Sequence, residues 1–223
     1  MKLYSDPIST TSRPVLQFAA ENGIELELVP VDMMSGGAQD PAYLRVNPNG
    51  IVPYLVDGNF SLGESSAILK YLADRVASPA YPIELQARAR VNEALDWFST
   101  NLHKDLCVFG VYMAVMPPEG IDASGVQALV TYGRTRAARW MAVLNDAMIG
   151  DRDFVCGDDI TIADYLGATF VSFGEAGGFD LSPWPNVAAW MRRMRERPGF
   201  APAYAPFYAW LAERARQTQG AAA

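Results

Sequence analysis

The sequence predicts an α/β domain over residues 1–77 followed by an all-α domain over residues 84–216. Strand-like and helix-like segments alternate as far as residue 76, which is typical of a sheet packed with helices. A proline-containing segment, residues 78–82, then has the composition of a linker. Beyond it we find only helical patterns of apolar residues, so the second domain is expected to contain no strand.

The elements of the first domain follow the order β, α, β, turn, β, β, α. Its first helix is bounded by Pro14 in the first turn and by Gly23 just past the end. Asp57 and Gly58, between two short strand patterns, form a hairpin signal. A parallel crossover followed by an antiparallel hairpin predicts a mixed sheet. The predicted strands are 2–5, 25–31, 54–56 and 60–62, the helices 14–22 and 64–76, and a helical turn 41–45.

The second domain is predicted to contain four helices. Thr161 and Asp164 have the spacing of a capping box at the start of the third helix, with Ile160 as its staple residue. We interpret this motif as structural and not chemical. The last residues, 217–223, are expected to fray. The predicted helices cover residues 84–114, 125–148, 159–173 and 185–196.

Composition excludes several classes of function. The chain has 223 residues and a net charge of -7, which argues against a nucleic-acid partner. The arginines within residues 192–197 are interpreted as a solvated helix face. No signal peptide is evident, and no apolar run approaches the ~20 residues that a membrane span needs. The 2 cysteines favour a reducing cytoplasm, and with 1 histidine they argue against a metal site.

Residues 9–13, Ser-Thr-Thr-Ser-Arg, lie at the junction of the first strand and the first helix. A hydroxyl beside the free N–H groups and positive dipole end of a helix can donate to an anion. A thiol becomes more acidic when its thiolate accepts such a hydrogen bond. The alternative is that these residues only cap the helix. Of these residues Ser12 is the expected cap, which leaves Ser9 free.

Two further motifs follow in the first domain. Residues 47–53, Asn-Pro-Asn-Gly-Ile-Val-Pro, form a loop before a strand, and an ordinary turn explains them equally well. Glu64 and Ser65 open the helix after the hairpin. The Ser65 hydroxyl and the N–H groups of a helix start suit a carboxylate, and Glu64 suits an ammonium group beside it. The alternative for this second motif is again a helix cap.

Taken together, these modules and motifs resemble the cytosolic glutathione transferases of the serine-type classes, theta, phi or a related bacterial class. The resemblance implies a thioredoxin-like N-terminal domain and an all-α C-terminal domain, the glutathione transferase fold. It implies that Ser9 activates the glutathione thiol, and that a cis Val52-Pro53 bond lets the Val52 backbone pair with the cysteinyl backbone of glutathione. Glu64 and Ser65 would then hold the γ-glutamyl group.

Some positions depart from this pattern or stay open. Ile51 stands directly before Val52, where many relatives carry Lys or Gln, so a side-chain contact toward the glycine end of glutathione is missing. An electrophile pocket is expected along the first long helix of the second domain, although core packing explains each candidate about as well. The candidates are Asn101, Phe109, Tyr112 and Met113. We interpret His103 as a surface or interdomain side chain, and Cys107 and Cys156 as packed thiols.

The implied activity is conjugation of the glutathione thiolate to an electrophilic carbon, by substitution or conjugate addition. Glutathione is the co-substrate, no metal or other cofactor is expected, and the resemblance implies a cytoplasmic homodimer. One alternative is a non-catalytic glutathione-binding or scaffold protein, although none of the motifs is lost. The other is a glutathione-dependent thiol or disulfide reductase, which would carry Cys within residues 9–12, where Ser, Thr, Thr and Ser stand.

Overall fold

A computed structural model of the chain describes residues 1–221, with side chains as far as Gln217. The chain forms two compact units. The first contains Met1–Ala77 together with the chain from Arg197 onward, and the second contains Ser78–Glu196. Each unit has its own buried apolar side chains, and the two are described separately below.

The first unit is built on a four-stranded mixed sheet in the order β2-β1-β3-β4. β1 pairs in parallel with β2, whereas β3 is antiparallel to both of its neighbours, as the sequence predicts. Gly58, with φ 63°, starts the turn between β3 and β4. The strands are Lys2–Ser5 (β1), Glu27–Pro30 (β2), Tyr54–Asp57 (β3) and Phe60–Leu62 (β4).

Three helices accompany the sheet before the linker. Their apolar faces bury Phe18 and Leu69 completely, together with Leu3 and Leu55 of the sheet. Each such side chain stabilises the fold by about 1.5–3 kcal/mol relative to exposure. The helices are Arg13–Glu21 (α1), Pro41–Val46 (α2) and Ser65–Arg75 (α3), with a short 3₁₀ turn at Gly37–Gln39.

The last helix, α9 (Phe200–Ala221), is missing from the sequence-based prediction and packs against α1 in the first unit. Prolines in its first half mask the helical pattern, and Pro206 lies inside the helix. Gly199 permits the close approach, because a Cβ there would lie 2.9 Å from the Gln17 carbonyl oxygen. The predicted boundary of the second domain at residue 216 therefore differs from the observed division, which falls at Glu196. Helix α9 also includes most of the tail expected to fray, while residues 222–223 lie outside the described part.

The second unit is helical throughout its described elements apart from one isolated bridge, Phe154 with Gly157. Its helix α7 is buried along nearly its whole length, and at Gly167 a Cβ would lie only 2.2 Å from the Phe98 ring. The helices are Leu85–Trp97 (α4), which continues with π-helical hydrogen bonds over Phe98–Tyr112 into Met113–Val115 (α5), Ala123–Val143 (α6), which continues likewise over Leu144–Ile149, Ile162–Ala176 (α7) and Pro185–Arg195 (α8).

Two other features are absent from the described residues. None of the helices there is both long and apolar enough to cross a membrane. Nor does that part of the chain group three or more His, Cys, Asp or Glu residues as a metal ion would require.

Asp164 fixes the start of α7, and the predicted capping box is confirmed. Its carboxylate is fully buried and accepts hydrogen bonds from the Thr161 N–H at 2.8 Å and from the Thr161 hydroxyl at 2.9 Å. The Val155 N–H and the Trp190 indole N–H also donate to it, at 2.9 and 3.0 Å. One side chain therefore joins the loop before α7 to the helix α8.

We expect Asp164→Ala to lower the free energy of unfolding by about 3 kcal/mol or more, because it leaves several buried donors without an acceptor. Thr161→Val is the matched control, since it removes only one of the four donors and should cost about 1 kcal/mol. Denaturant unfolding of both variants, followed by circular dichroism, measures the difference. Equal small losses for the two variants would show that the carboxylate does not hold the motif together.

Candidate active site

Ser9 organises a helical turn that precedes α1. Its Oγ accepts hydrogen bonds from the backbone N–H groups of Thr11 at 3.2 Å and of Ser12 at 3.3 Å. Its carbonyl oxygen accepts the N–H of Arg13 at 3.3 Å. The side chain remains partly exposed. Ser9 is thus held by the backbone while its hydroxyl stays accessible.

The prediction that Ser12 caps the helix and leaves Ser9 free is wrong. Ser12 occupies the N-cap position, but its side chain makes no capping hydrogen bond. It is fully buried and accepts the N–H of Asp6 at 3.4 Å instead. Ser9 satisfies the N–H groups of the turn, so those groups point at the Ser9 oxygen and not at a ligand. A hydroxyl oxygen that accepts two N–H groups becomes a stronger donor through its own proton.

Asp6, which the sequence reasoning missed, anchors the loop that carries Ser9. Its buried carboxylate accepts the N–H of Ile8 at 2.8 Å and the N–H of Met33 at 3.1 Å. Its backbone carbonyl accepts the Ser9 N–H at 3.0 Å. The available signal was an Asp-Pro pair directly after the first strand, which is typical of a turn.

Arg13 places a buried positive charge one turn after Ser9. Its side chain is fully buried, and its Nε donates to the Ser9 carbonyl at 3.3 Å. Its guanidinium lies over the rings of Tyr204 and Phe207, 4.8 and 3.9 Å from their centroids. Both rings belong to α9, so the last helix of the chain supports the turn that carries Ser9.

The loop that ends at Pro53 meets the Ser9 turn. The predicted cis geometry of the Val52-Pro53 bond is confirmed. Upstream, the Ile51 carbonyl accepts the Tyr43 hydroxyl at 2.6 Å and an Asn47 side-chain N–H at 2.8 Å.

The Thr11 hydroxyl donates to the Val52 carbonyl at 2.8 Å, while no described residue accepts the Val52 N–H. The structure therefore brings the first two motifs together and leaves a backbone donor for a ligand. The carbonyl also keeps its second lone pair.

The third motif has an unusual backbone. Glu64 has φ 62° and ψ 117°, a region that costs a non-glycine residue on the order of 1–3 kcal/mol. Its exposed side chain makes no capping hydrogen bond, so the alternative interpretation as a helix cap does not hold for Glu64. Ser65 is the first residue of α3 and is buried, and the first intrahelical bond comes only from the Ile68 N–H. The earlier N–H groups of the helix remain available to an anion.

His103 and the two cysteines do not form a reactive group. The His103 ring lies 4.5 Å from the Phe170 ring, and its Nε2 is buried without a partner among the described residues. Burial lowers the pKa of His103 to about 4, so the ring is neutral at pH 7. The interpretation of His103 as a surface side chain is therefore wrong for its Nε2 atom, which is buried. Cys107 is buried with its thiol on the Phe170 carbonyl, and burial raises the pKa of Cys156 to about 11.

The four candidate pocket residues share one continuous helical stretch and are all partly exposed. Two of them pack against different neighbours within the second unit. The Phe109 ring contacts Tyr132 of α6 edge-on at 6.0 Å, whereas the Tyr112 ring lies 4.5 Å from Phe173 of α7. The other two, Asn101 and Met113, have no described side-chain hydrogen bond. Core packing accounts for Phe109 and Tyr112, and their role in ligand binding stays a prediction.

The chain is similar to known proteins along most of its length. Family models for the glutathione S-transferase N-terminal domain and C-terminal domain match residues 1–74 and 105–198. The human glutathione S-transferase theta-2 is 38% identical over 202 residues, covering 87% of this chain and 80% of that protein.

Two solved human theta structures extend the likeness to the fold. A human theta-2 complex with glutathione has a TM-score of 0.85 at 32% identity, covering 97% of this chain and 91% of that one. A human theta-class complex with the glutathione conjugate of 1-menaphthyl sulfate has a TM-score of 0.85 at 33% identity and the same coverage. The chain therefore belongs to the glutathione S-transferase family and is theta-like. Its activity is the conjugation of glutathione to electrophiles.

The buried His103 should make stability depend on pH. Its folded pKa of about 4 lies below the ordinary value of 6.5, so the unfolded chain binds more protons between these values. The stabilisation is complete above pH 6.5 and is lost as pH falls toward 4, by roughly 3 kcal/mol. His103→Phe should flatten that part of the curve of unfolding free energy against pH. Parallel curves for wild type and variant would mean that His103 titrates normally in the folded protein.

Proposed function

We propose that Ser9 is the catalytic residue and donates a hydrogen bond to the thiolate of glutathione. The observation that carries the proposal is the Ser9 oxygen, which accepts two backbone N–H groups and so keeps only its own proton to offer. A hydrogen bond to the charged form of a thiol lowers its pKa and raises the thiolate fraction at neutral pH. The thiolate, and not the thiol, is the nucleophile.

The chemistry then needs only the thiolate and the electrophile in contact. The sulfur forms a bond to the electrophilic carbon while a leaving group departs with its bonding electron pair. In conjugate addition, the electron pair of the double bond moves to the acceptor end, which takes up a proton. No metal or further cofactor enters either route, and glutathione is consumed as a co-substrate.

The peptide part of glutathione is assigned to the other two motifs. The unpaired N–H of Val52 and the second lone pair of its carbonyl suit the cysteinyl backbone, with Pro53 fixing the loop. Ser65 and the first N–H groups of α3 suit the γ-glutamyl carboxylate, and Glu64 suits the ammonium group. Ile51, in the loop that ends at Pro53, offers only an exposed apolar side chain, so we expect no polar contact from it. The glutathione present in the human theta-2 structure supports binding of the same peptide here.

The electrophile is proposed to bind along the π-helical stretch of the second unit, at Asn101, Phe109, Tyr112 and Met113. Their partial exposure and largely apolar character suit an apolar acceptor. We further propose that the enzyme acts as a homodimer in the cytoplasm, as the family implies. The reductase alternative is disfavoured because Cys107 is buried and Cys156, with its raised pKa, is not a thiolate at neutral pH.

Ser9→Ala should raise the pKa of bound glutathione toward the free-thiol value of ~8.5. At neutral pH the thiolate fraction, and with it kcat, should fall several-fold or more, while KM for glutathione changes little. Thiolate absorbance against pH measures the shift. Because Ser9 also holds two backbone N–H groups, the variant should lose about 1 kcal/mol of stability. Ser9→Thr keeps a hydroxyl and serves as the control. An unmoved thiol pKa in Ser9→Ala would reject Ser9 as the catalytic residue.

Ser65→Ala tests the γ-glutamyl site. Losing a partner of a charged group should weaken glutathione binding by about 1–3 kcal/mol, and the loss should fall on KM because the contact does not change during reaction. Ser66→Ala is the matched control, since Ser66 is the next residue of the same helix turn. Steady-state kinetics with varied glutathione gives both constants. A normal KM with a reduced kcat in Ser65→Ala would contradict the assignment.

A further inference from the structure

The hydroxyls of Ser9 and Thr11 form a chain whose direction is fixed by counting protons. Their oxygens lie 2.9 Å apart, and Thr11 donates its proton to the Val52 carbonyl at 2.8 Å. A hydroxyl carries a single proton. Since the Thr11 proton is on Val52, the proton between the two hydroxyls must come from Ser9. In the free protein the chain therefore runs from Ser9 to Thr11 to Val52.

This direction conflicts with the role of Ser9 in the proposed function, on which the present inference rests. A thiolate requires the single proton of Ser9, which is then no longer directed at Thr11. If Thr11 kept donating to Val52, two oxygen lone pairs would face each other across 2.9 Å. That contact would be repulsive, and it would oppose the hydrogen bond from Ser9 to the sulfur.

The Val52 carbonyl offers a way out of the conflict. In the proposed complex the cysteinyl N–H of glutathione donates to the second lone pair of this carbonyl, so the carbonyl keeps a donor when Thr11 turns away. The Thr11 hydroxyl is free to rotate toward Ser9 Oγ. The two backbone N–H groups on Ser9 Oγ lie at 3.2 and 3.3 Å and use both of its lone pairs, so a bond from Thr11 at 2.9 Å replaces the longer of them, from the Ser12 N–H.

We propose that Thr11 is a positioning residue whose hydroxyl reverses its direction when glutathione binds, turning from the Val52 carbonyl to Ser9 Oγ. In the complex Thr11 donates to Ser9 and Ser9 donates to the sulfur. No proton is transferred, because both hydroxyls only rotate about their C–O bonds. The cysteinyl backbone site and the sulfur site are thereby coupled: seating the peptide releases the proton that supports Ser9.

The experiment measures the thiol pKa and KM of bound glutathione for Thr11→Val, for Thr11→Ser and for Thr11→Val combined with Ser9→Ala. Valine has nearly the shape of threonine but no hydroxyl. We expect Thr11→Val to reduce the bound thiolate at neutral pH about threefold, with KM close to wild type, and Thr11→Ser to restore it. In the Ser9→Ala background, Thr11→Val should add no further loss of thiolate, because Thr11 acts only through Ser9.

Four outcomes overturn the relay. A raised KM with an unchanged thiol pKa would make Thr11 only a support for the Val52 loop. A full additional loss of thiolate in the Ser9→Ala background would mean that Thr11 contacts the sulfur itself. If Ser9→Ala shifts the thiol pKa while Thr11→Val leaves it unmoved, the relay fails and the proposed function stands. If Ser9→Ala has no effect either, the proposed function fails together with the relay.

Discussion

The convergence of two backbone N–H groups on the oxygen of Ser9 is the interaction on which the rest of the site depends. These N–H groups lie at the start of a helix, where they have no intrahelical acceptor. Satisfying them with a side chain removes a cost of burial and directs the positive end of the helix dipole at a hydroxyl. The hydroxyl becomes both fixed in place and a stronger donor. A group that is structurally a cap thus acquires the property that thiolate binding requires.

The helical turn that carries Ser9 is supported by residues near the end of the chain. Arg13 is buried under Tyr204 and Phe207 and contacts the Ser9 carbonyl. A buried guanidinium needs close partners to offset its lost hydration. Arg197 and the nearly buried Glu21 form an ion pair at 2.6 Å beside the contact between α9 and α1. The last helix is therefore part of the glutathione-binding unit, although its position in the sequence places it after the helical domain.

Features that depend on neighbouring residues could be predicted from the sequence, whereas features that depend on contacts between distant residues were missed. The order of strands and helices and the capping box at Asp164 were predicted because local spacing carries them, and the cis Val52-Pro53 bond was implied by the family resemblance of its loop. The cap on Ser9 was missed because Ser9 and Ser12 are equivalent by residue type. What separates them is tertiary: the Asp6 N–H occupies the Ser12 oxygen. Helix α9 was missed because its prolines hide the apolar periodicity and because α1, against which it packs, lies near the other end of the sequence.

A neutral hydroxyl suits thiolate binding because it can accept hydrogen bonds while it donates its own proton. A lysine in place of Ser9 could only donate, so no neighbouring donor could strengthen its hydrogen bond. A hydroxyl accepts as well as donates, and its strength as a donor follows what it accepts. In the free protein Ser9 accepts backbone N–H groups, whereas in the proposed complex Thr11, which has an alternative acceptor in the Val52 carbonyl, replaces one of them. A site of this kind can bind the peptide and strengthen the thiolate bond in one event. Its response is set by rotation of two hydroxyls and requires no movement of the backbone.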